Sequence, residues 1–266
     1  MARGRNLLTI QDYQRALKYH YGLGTGAGYK PWLRVQDVAS KGTSAKIQGL
    51  KSNRAHHLLS QLECACFYQA EFLDRVIDIR EQFPLLPLSL SMKIAETLGI
   101  QHPRVPTTNT PSIMTTDFLL TCSNNGQIWY EAVSVKPEKQ LSNERVAQKL
   151  DLERIWWELL GVRFKVFIVS EKTRIQSSNI EWATSPLRQG YIPSDNVVEN
   201  ALALIPVGNI LISETCQHFM IKLGIDADNA LSLFRYLIAS KKLSIDLDTP
   251  VVDTGVVTIT QINHAS

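Results

Sequence analysis

The feature that most constrains this chain is a pair of strand-like runs joined by a turn. Thr115-Thr116-Asp117-Phe118-Leu119-Leu120-Thr121-Cys122 and Ile128-Trp129-Tyr130-Glu131-Ala132-Val133-Ser134-Val135-Lys136 flank Ser123-Asn124-Asn125-Gly126. Asn-Gly between β-rich runs is a strong hairpin signal, here in a loop longer than two residues. Pro137 stops the second run, because proline cannot donate to a strand ladder. Residues 142–160 then read as a long helix ended by Gly161, and residues 162–169 as another strand. Upstream, Leu58, Leu59, Leu62, Cys66 and Leu73 recur largely at three- and four-residue steps, so residues 55–74 read as a helix. Val76 to Phe83 partly alternates apolar and polar residues, as a half-buried strand does, and Pro84 ends it. Shorter helices are expected around Gln11–Tyr21 and Leu90–Leu98. Helix, strand, hairpin, helix and strand in that order predict an α/β core: a mixed sheet flanked by helices.

Composition shifts after Ser170. Residues 171–200 are polar with few strong apolar periods, and helical patterns follow at Asn196–Ala203, Asn209–Leu223 and Asp226–Ala239. Leu243 to Leu247 and Val256 to Thr260 then read as two strands joined by a loop with Asp248, Pro250, Asp253, Thr254 and Gly255. Three helices followed by a β-hairpin is the order of a winged helix. A length of 266 residues accommodates two modest domains, expected at 1–170 and 171–266.

The remaining bulk properties mainly exclude. A hydrophobic fraction of 44% and a charged fraction of 20% are those of an ordinary globular chain. The net charge of +3 permits nucleic acid as a partner without demanding it. Cys64, Cys66, Cys122 and Cys216 form no C-x-x-C pair and no zinc pattern, so reduced thiols are expected. Gly22-Leu23-Gly24-Thr25-Gly26-Ala27-Gly28 has the wrong spacing for a phosphate-cradling loop, and reads as a flexible link into Pro31-Trp32-Leu33. No apolar run reaches the roughly 18 residues of a membrane span, and no signal peptide is evident behind the basic N-terminus. A soluble, cytoplasmic protein with no membrane partner is the expectation.

The chemistry lies in the hairpin. Ala132, Ser134 and Lys136 share one face of the second strand, and Asp117 is the only charge in the first. A hairpin register can bring Asp117 beside Ser134 and Lys136, the core of the P-D-…-[DE]-x-K nuclease pattern. Phosphodiester hydrolysis needs oxygen ligands for Mg²⁺ and a cation such as lysine near the pentavalent transition state. Glu63 shares a helix face with Leu59, Cys66, Phe67 and Ala70, and Glu153 lies with Val146, Leu150 and Trp157 on the inward stripe of the long helix. An inward carboxylate needs a partner, and a metal supplies one. The structural alternatives are a surface Glu63 near His56 or His57, and Glu153 paired with Lys149 or Arg154 at the helix edge. Asp78, Arg80 and Glu81 read as a salt-bridged sheet edge. Arg3, Arg5, Arg15, Lys18, Lys30, Arg34, Lys41, Lys46, Lys51 and Arg54 could contact phosphates or simply be solvated.

Residues 31–160 resemble the TnsA family, the endonuclease subunit of two-component heteromeric transposases. The resemblance rests on Pro31-Trp32-Leu33-Arg34-Val35-Gln36-Asp37, on His56-His57-Leu58-Leu59-Ser60-Gln61-Leu62-Glu63 and, most specifically, on Asp78-Ile79-Arg80-Glu81-Gln82-Phe83-Pro84-Leu85-Leu86-Pro87. It continues through Thr116-Asp117-Phe118-Leu119, Val135-Lys136-Pro137 and Lys149-Leu150-Asp151-Leu152-Glu153-Arg154.

The resemblance implies a restriction-endonuclease-like fold with a C-terminal winged-helix-like domain. It further implies Mg²⁺-dependent cleavage (Mn²⁺ substituting) of the 5′, non-transferred strands at transposon ends. The implied partners are transposon-end DNA, an integrase-type (TnsB-like) subunit and an ATP-dependent (TnsC-like) regulator. Glu63, Asp117 and Lys136 match the catalytic positions, with Glu153 as an auxiliary acid. The implied metal ligands are Glu63, Asp117, the Val135 carbonyl and Ser134. The family pattern is often Gln-x-Lys where this chain has Ser134-Val135-Lys136, and a serine hydroxyl is shorter and a poorer metal ligand than an amide oxygen. The competing readings are a stand-alone restriction or repair nuclease, and a non-catalytic assembly subunit.

Overall fold

The computed structural model describes residues 4–38 and 43–263; Arg3 and Lys41 lie outside the described residues. The chain divides into two compact units, Met1–Ser170 and Glu171–Ser266.

The first unit opens with α1 (Ile10–Lys18), capped reciprocally by Thr9 and Asp12. An antiparallel hairpin follows, β1 (Ala45–Gln48) and β2 (Ala55–Leu58). The helical reading of residues 55–74 is therefore wrong for its first four residues. His56 and Leu58 are buried at a two-residue step, but four residues are too few to separate that period from a helical one. α2 (Gln61–Phe72) begins after its N-cap, Ser60. Next come β3 (Val76–Pro84), α3 (Leu88–Thr97), β4 (Thr115–Asn124), β5 (Gln127–Pro137), α4 (Glu144–Leu159) and β6 (Arg163–Val169).

These four strands form a sheet in the order β3-β4-β5-β6. The first two pairings are antiparallel and the last is parallel. A parallel pair needs a long crossover, and α4 provides it. Leu119 and Ala132, opposite each other on β4 and β5, pack with Ile94 and Ala95 of α3 and with Leu152, Trp156 and Trp157 of α4. Full burial of one large apolar side chain is worth about 1.5–3 kcal/mol, so this layer fixes α4 firmly on the sheet. α2 lies against β3, β5 and β6. A mixed sheet flanked by helices in this way fits a restriction-endonuclease-like fold.

The glycine-rich segment is not a free link. A Cβ on Gly22 (φ +78°) would stand 2.4 Å from Pro84 Cγ, so only glycine allows the chain to approach β3 there. The Gly26 N–H donates to Asp78 at 3.0 Å, and Trp32 is buried with its N–H donating to the Gln82 carbonyl at 3.2 Å.

The second unit contains α5 (Glu171–Arg188), α6 (Asp195–Leu202), β7 (Gly208–Leu211), α7 (Ile212–Leu223), α8 (Ala227–Ala239), β8 (Leu243–Ile245), α9 (Val251–Thr254) and β9 (Val256–Ile262). Its antiparallel sheet has the order β7-β9-β8, and Phe219, Leu233, Phe234, Leu237 and Val257 form its centre. Two elements depart from the sequence reading. The polar stretch after Ser170 is a long helix, held by Asn179, whose amide bonds the carbonyls of Leu247 and Thr249. The helix expected from Asn209 starts only at Ile212, because residues 208–211 pair with β9. The four cysteines are free thiols. No helix among the described residues is long and apolar enough to cross a membrane.

Candidate active site

Glu63 is placed by helix capping. The Ser60 hydroxyl accepts from the Glu63 N–H at 3.2 Å and donates to Glu63 Oε1 at 2.9 Å, while the Leu59 N–H donates to Oε2 at 3.0 Å. A carboxylate bent back over the first turn of its own helix also meets the positive end of the helix dipole. Glu63 is nonetheless buried, and its pKa is pushed up to about 7, by burial first and by the charge of Asp117 second. The surface alternative, with Glu63 near His56 or His57, does not occur.

Asp117 sits where β3, β4 and β5 meet. The Val135 N–H donates to its Oδ2 at 2.6 Å and the Ser134 hydroxyl at 3.3 Å. Lys136 Nζ lies 3.4 Å from the same oxygen. That ammonium also donates to Ser134 Oγ and to the Val135 carbonyl, each at 2.9 Å. The hairpin thus brings Asp117, Ser134 and Lys136 together as the strand period implied. Ser134 Oγ and Val135 O, two of the expected metal ligands, are both engaged by Lys136.

Glu153 reaches this corner from α4. It does not pair at the helix edge; Arg154 instead bonds Asp151 and Glu158. Glu153 is buried, and its pKa rises to about 8 through burial and then through Asp117, against the opposing Thr116 and Ser134 hydroxyls. Its Oε1 is buried without a hydrogen-bond partner. Nearby, the Trp157 indole donates to Thr116 at 2.6 Å, tying α4 to β4 beside Asp117.

One residue at the centre was not anticipated from the sequence. Gln82 Nε2 lies 3.3 Å from Glu63 Oε2 and 3.3 Å from Asp117 Oδ1. Periodicity carries no signal for it. The Ser60-x-x-Glu63 cap, by contrast, was readable as a capping motif. The neighbouring Glu81 lies on the salt-bridged sheet edge expected of β3, the terminal strand of its sheet. It is buried and bonded by Arg54, by His56 Nδ1 at 2.8 Å and by the His57 N–H at 3.0 Å. Of the basic residues named above, Arg5 and Arg34 both pair with Asp37 and Arg54 with Glu81, so these three have structural partners.

The donors at this corner fit a hard divalent cation. They are carboxylate, hydroxyl and carbonyl oxygens, two of the acids are pushed towards protonation, and one carboxylate oxygen is orphaned. Among the described residues no three His, Cys, Asp or Glu side chains group closely enough to hold a metal by themselves.

Comparison with known proteins identifies the family. Residues 73–168 match a family model described as TnsA-like endonuclease N terminal. Over 248 residues the chain is 36% identical to the transposon Tn7 transposition protein TnsA of Escherichia coli, covering 90% of this chain and 87% of that protein. The chain belongs to the TnsA family. It is an endonuclease by that membership. The TnsA-like segment of residues 73–168 contains Gln82, Asp117, Lys136 and Glu153, so most of the corner described above lies within the matched region.

Proposed function

We propose that this endonuclease cleaves the 5′, non-transferred strands at transposon ends, with Glu63, Asp117 and Lys136 as its catalytic residues and Glu153 as an auxiliary acid. The observation that carries this reading is the convergence of Glu63, Asp117 and Lys136 around the β4–β5 hairpin, with Asp117 as the shared member. Glu63 and Asp117 would hold Mg²⁺ (Mn²⁺ substituting). Ser134 and the Val135 carbonyl are the further oxygens, shared with Lys136. The bound cation supplies charge neutralisation at the phosphate and a more acidic water.

The protein's own groups do the rest. The Val135 N–H fixes one oxygen of Asp117, which sets the direction of its carboxylate. Lys136 is held by three oxygens, Asp117 Oδ2, Ser134 Oγ and the Val135 carbonyl, and its positive charge would stabilise the negative charge that develops on a phosphorane bound beside Asp117. Glu153 holds a proton near neutral pH beneath the hairpin.

Residues 1–170 are the nuclease domain in this reading and residues 171–266 a winged-helix-like domain. Support for the latter is the order α6, β7, α7, α8, β8, β9, with the one-turn α9 between the last two strands, and the strand arrangement β7-β9-β8. α8 carries Arg235 as its only cation, and its Nε donates to the Trp182 carbonyl. That face favours protein or backbone contact over base reading. The partners are transposon-end DNA, an integrase-type (TnsB-like) subunit and an ATP-dependent (TnsC-like) regulator, in the cytoplasm.

The test is cleavage of transposon-end DNA labelled separately on each strand, with and without the partner subunit. Asp117→Ala is expected to lose at least a hundredfold of 5′-strand cleavage, about the scale of removing one key transition-state group, while keeping its circular dichroism and leaving 3′ cleavage in place. Retained 5′ cleavage in that folded variant would falsify the assignment.

A further inference from the structure

Gln82 is held in an arrangement that its strand does not require. Its φ is +48°, in the left-handed region that a non-glycine residue rarely adopts. The β3–β4 register pairs Glu81 with Phe118 and Phe83 with Thr116, which sets Gln82 opposite Asp117 between them. Two hydrogen bonds and burial enforce the position. The Trp32 N–H donates to the Gln82 carbonyl at 3.2 Å, the Thr115 hydroxyl donates to Gln82 Oε1 at 2.8 Å, and the side chain is buried. A hydroxyl can donate or accept, so it is the two carboxylate oxygens on the other side that orient the amide, with its NH₂ group facing them.

That NH₂ group has two hydrogens, and each has an acceptor. Glu63 Oε2 and Asp117 Oδ1 both lie 3.3 Å from Nε2. The amide therefore bridges the two acids assigned above as cation ligands. Both bonds are at the long end for N–H···O contacts, so each is weak. Two negative groups in low dielectric repel strongly, and a bridging donor lowers that cost without adding charge.

We propose that Gln82 is a placeholder donor: its amide holds Glu63 and Asp117 as a preformed pair while no cation is bound, and yields them when one binds. This rests on the assignment of Glu63 and Asp117 as ligands. A bound cation makes both weak bonds redundant, so Gln82 stabilises the cation-free protein more than the cation-bound one. By linkage, removing the amide must strengthen cation binding.

Thermal melts and calorimetry on the full chain test this, comparing wild type, Gln82→Leu and Asp117→Ala with Mg²⁺ as the probe. Gln82→Leu is expected to melt about 3–6 °C lower in EDTA, the scale of one to two weak bonds in a unit of this size. It is expected to melt close to wild type in saturating Mg²⁺, and to bind Mg²⁺ roughly fivefold more tightly. An equal drop in both conditions, with unchanged affinity, would mean a packing role only and overturns the proposal. Weaker binding also overturns it, because the amide would then belong to the bound site. Asp117→Ala separates the two ideas: if it binds Mg²⁺ like wild type, the ligand assignment itself fails. Should Gln82→Leu not fold, Gln82→Glu keeps the shape and adds a third acid. Its melting loss in EDTA must be reversed by Mg²⁺, and a loss that Mg²⁺ leaves unchanged overturns the inference.

Discussion

Consecutive residues of β3 serve two buried acidic clusters of opposite character. Glu81 accepts from both terminal nitrogens of Arg54, from His56 and from the His57 backbone. Burial works to raise its pKa, yet those donors hold it down at about 2. One residue on, Gln82 leads into a cluster where Glu63 rises to about 7 and Glu153 to about 8, because burial and Asp117 outweigh the few donors present. The first cluster has every bond its carboxylate needs. The second has an unpartnered oxygen and acids that resist ionising. A fold can use a satisfied buried charge as an anchor, whereas an unsatisfied one costs stability and is retained where chemistry needs it.

The comparison breaks most visibly at the anchor. Arg54→Ala leaves Glu81 buried without its bidentate partner, and its expected cost is about 3–5 kcal/mol. Urea unfolding of the full chain measures this, and a cost below about 1 kcal/mol would show that Glu81 is not an anchor. The same variant frees the Ile79 carbonyl that Arg54 also holds, so loosening should spread along β3 towards Gln82.

Acid and base should separate the clusters next. Glu81 has a folded pKa below its ordinary value of 4.5, so its stabilisation is present above pH 4.5 and is lost as pH falls towards 2. Glu63 and Glu153 have folded values above 4.5, so their contribution is present below pH 4.5 and is lost as pH rises through about 7 and 8. The melting temperature in EDTA is expected to peak between these limits and decline towards pH 8. Saturating Mg²⁺ should flatten the alkaline decline and leave the acid limb untouched. A flat alkaline limb in EDTA would contradict the raised acids.

The two clusters were unequally legible in the sequence. Asp117, Ser134 and Lys136 could be brought together because strand period and the Asn-Gly turn fix which side chains a hairpin juxtaposes. Glu153 was visible as an acid on an apolar stripe. The anchor was read as a salt-bridged sheet edge, which β3 is, but its burial was not foreseen: β1 and β2 are four residues each, too short for their period to compete with the helix that follows. Arg54 and His56 therefore had no visible partner. Gln82 was invisible for a different reason: within a continuous β3–β4 register that sets it opposite Asp117, it adopts a left-handed φ, which no residue pattern encodes. In the second unit, Pro186 and a polar surface hid α5, and β7 runs into α7 without any breaker between them.

Glu153→Gln gives the smallest expected effect and the sharpest contrast with the anchor. The amide is nearly isosteric and carries no charge, so the cost of ionising a buried acid disappears. At pH 8 in EDTA the variant is expected to be more stable than wild type by about 1–2 kcal/mol, a discounted share of the pKa displacement. Removing the charge of Glu81 should do the reverse and destabilise. If the Glu153 carboxyl assists cleavage, this more stable protein will cut 5′ strands more slowly. Denaturant melts and strand-specific cleavage on one preparation measure both effects. Loss of stability in Glu153→Gln would mean that α4 relies on its acid as β3 relies on Glu81, and the two clusters would then be alike.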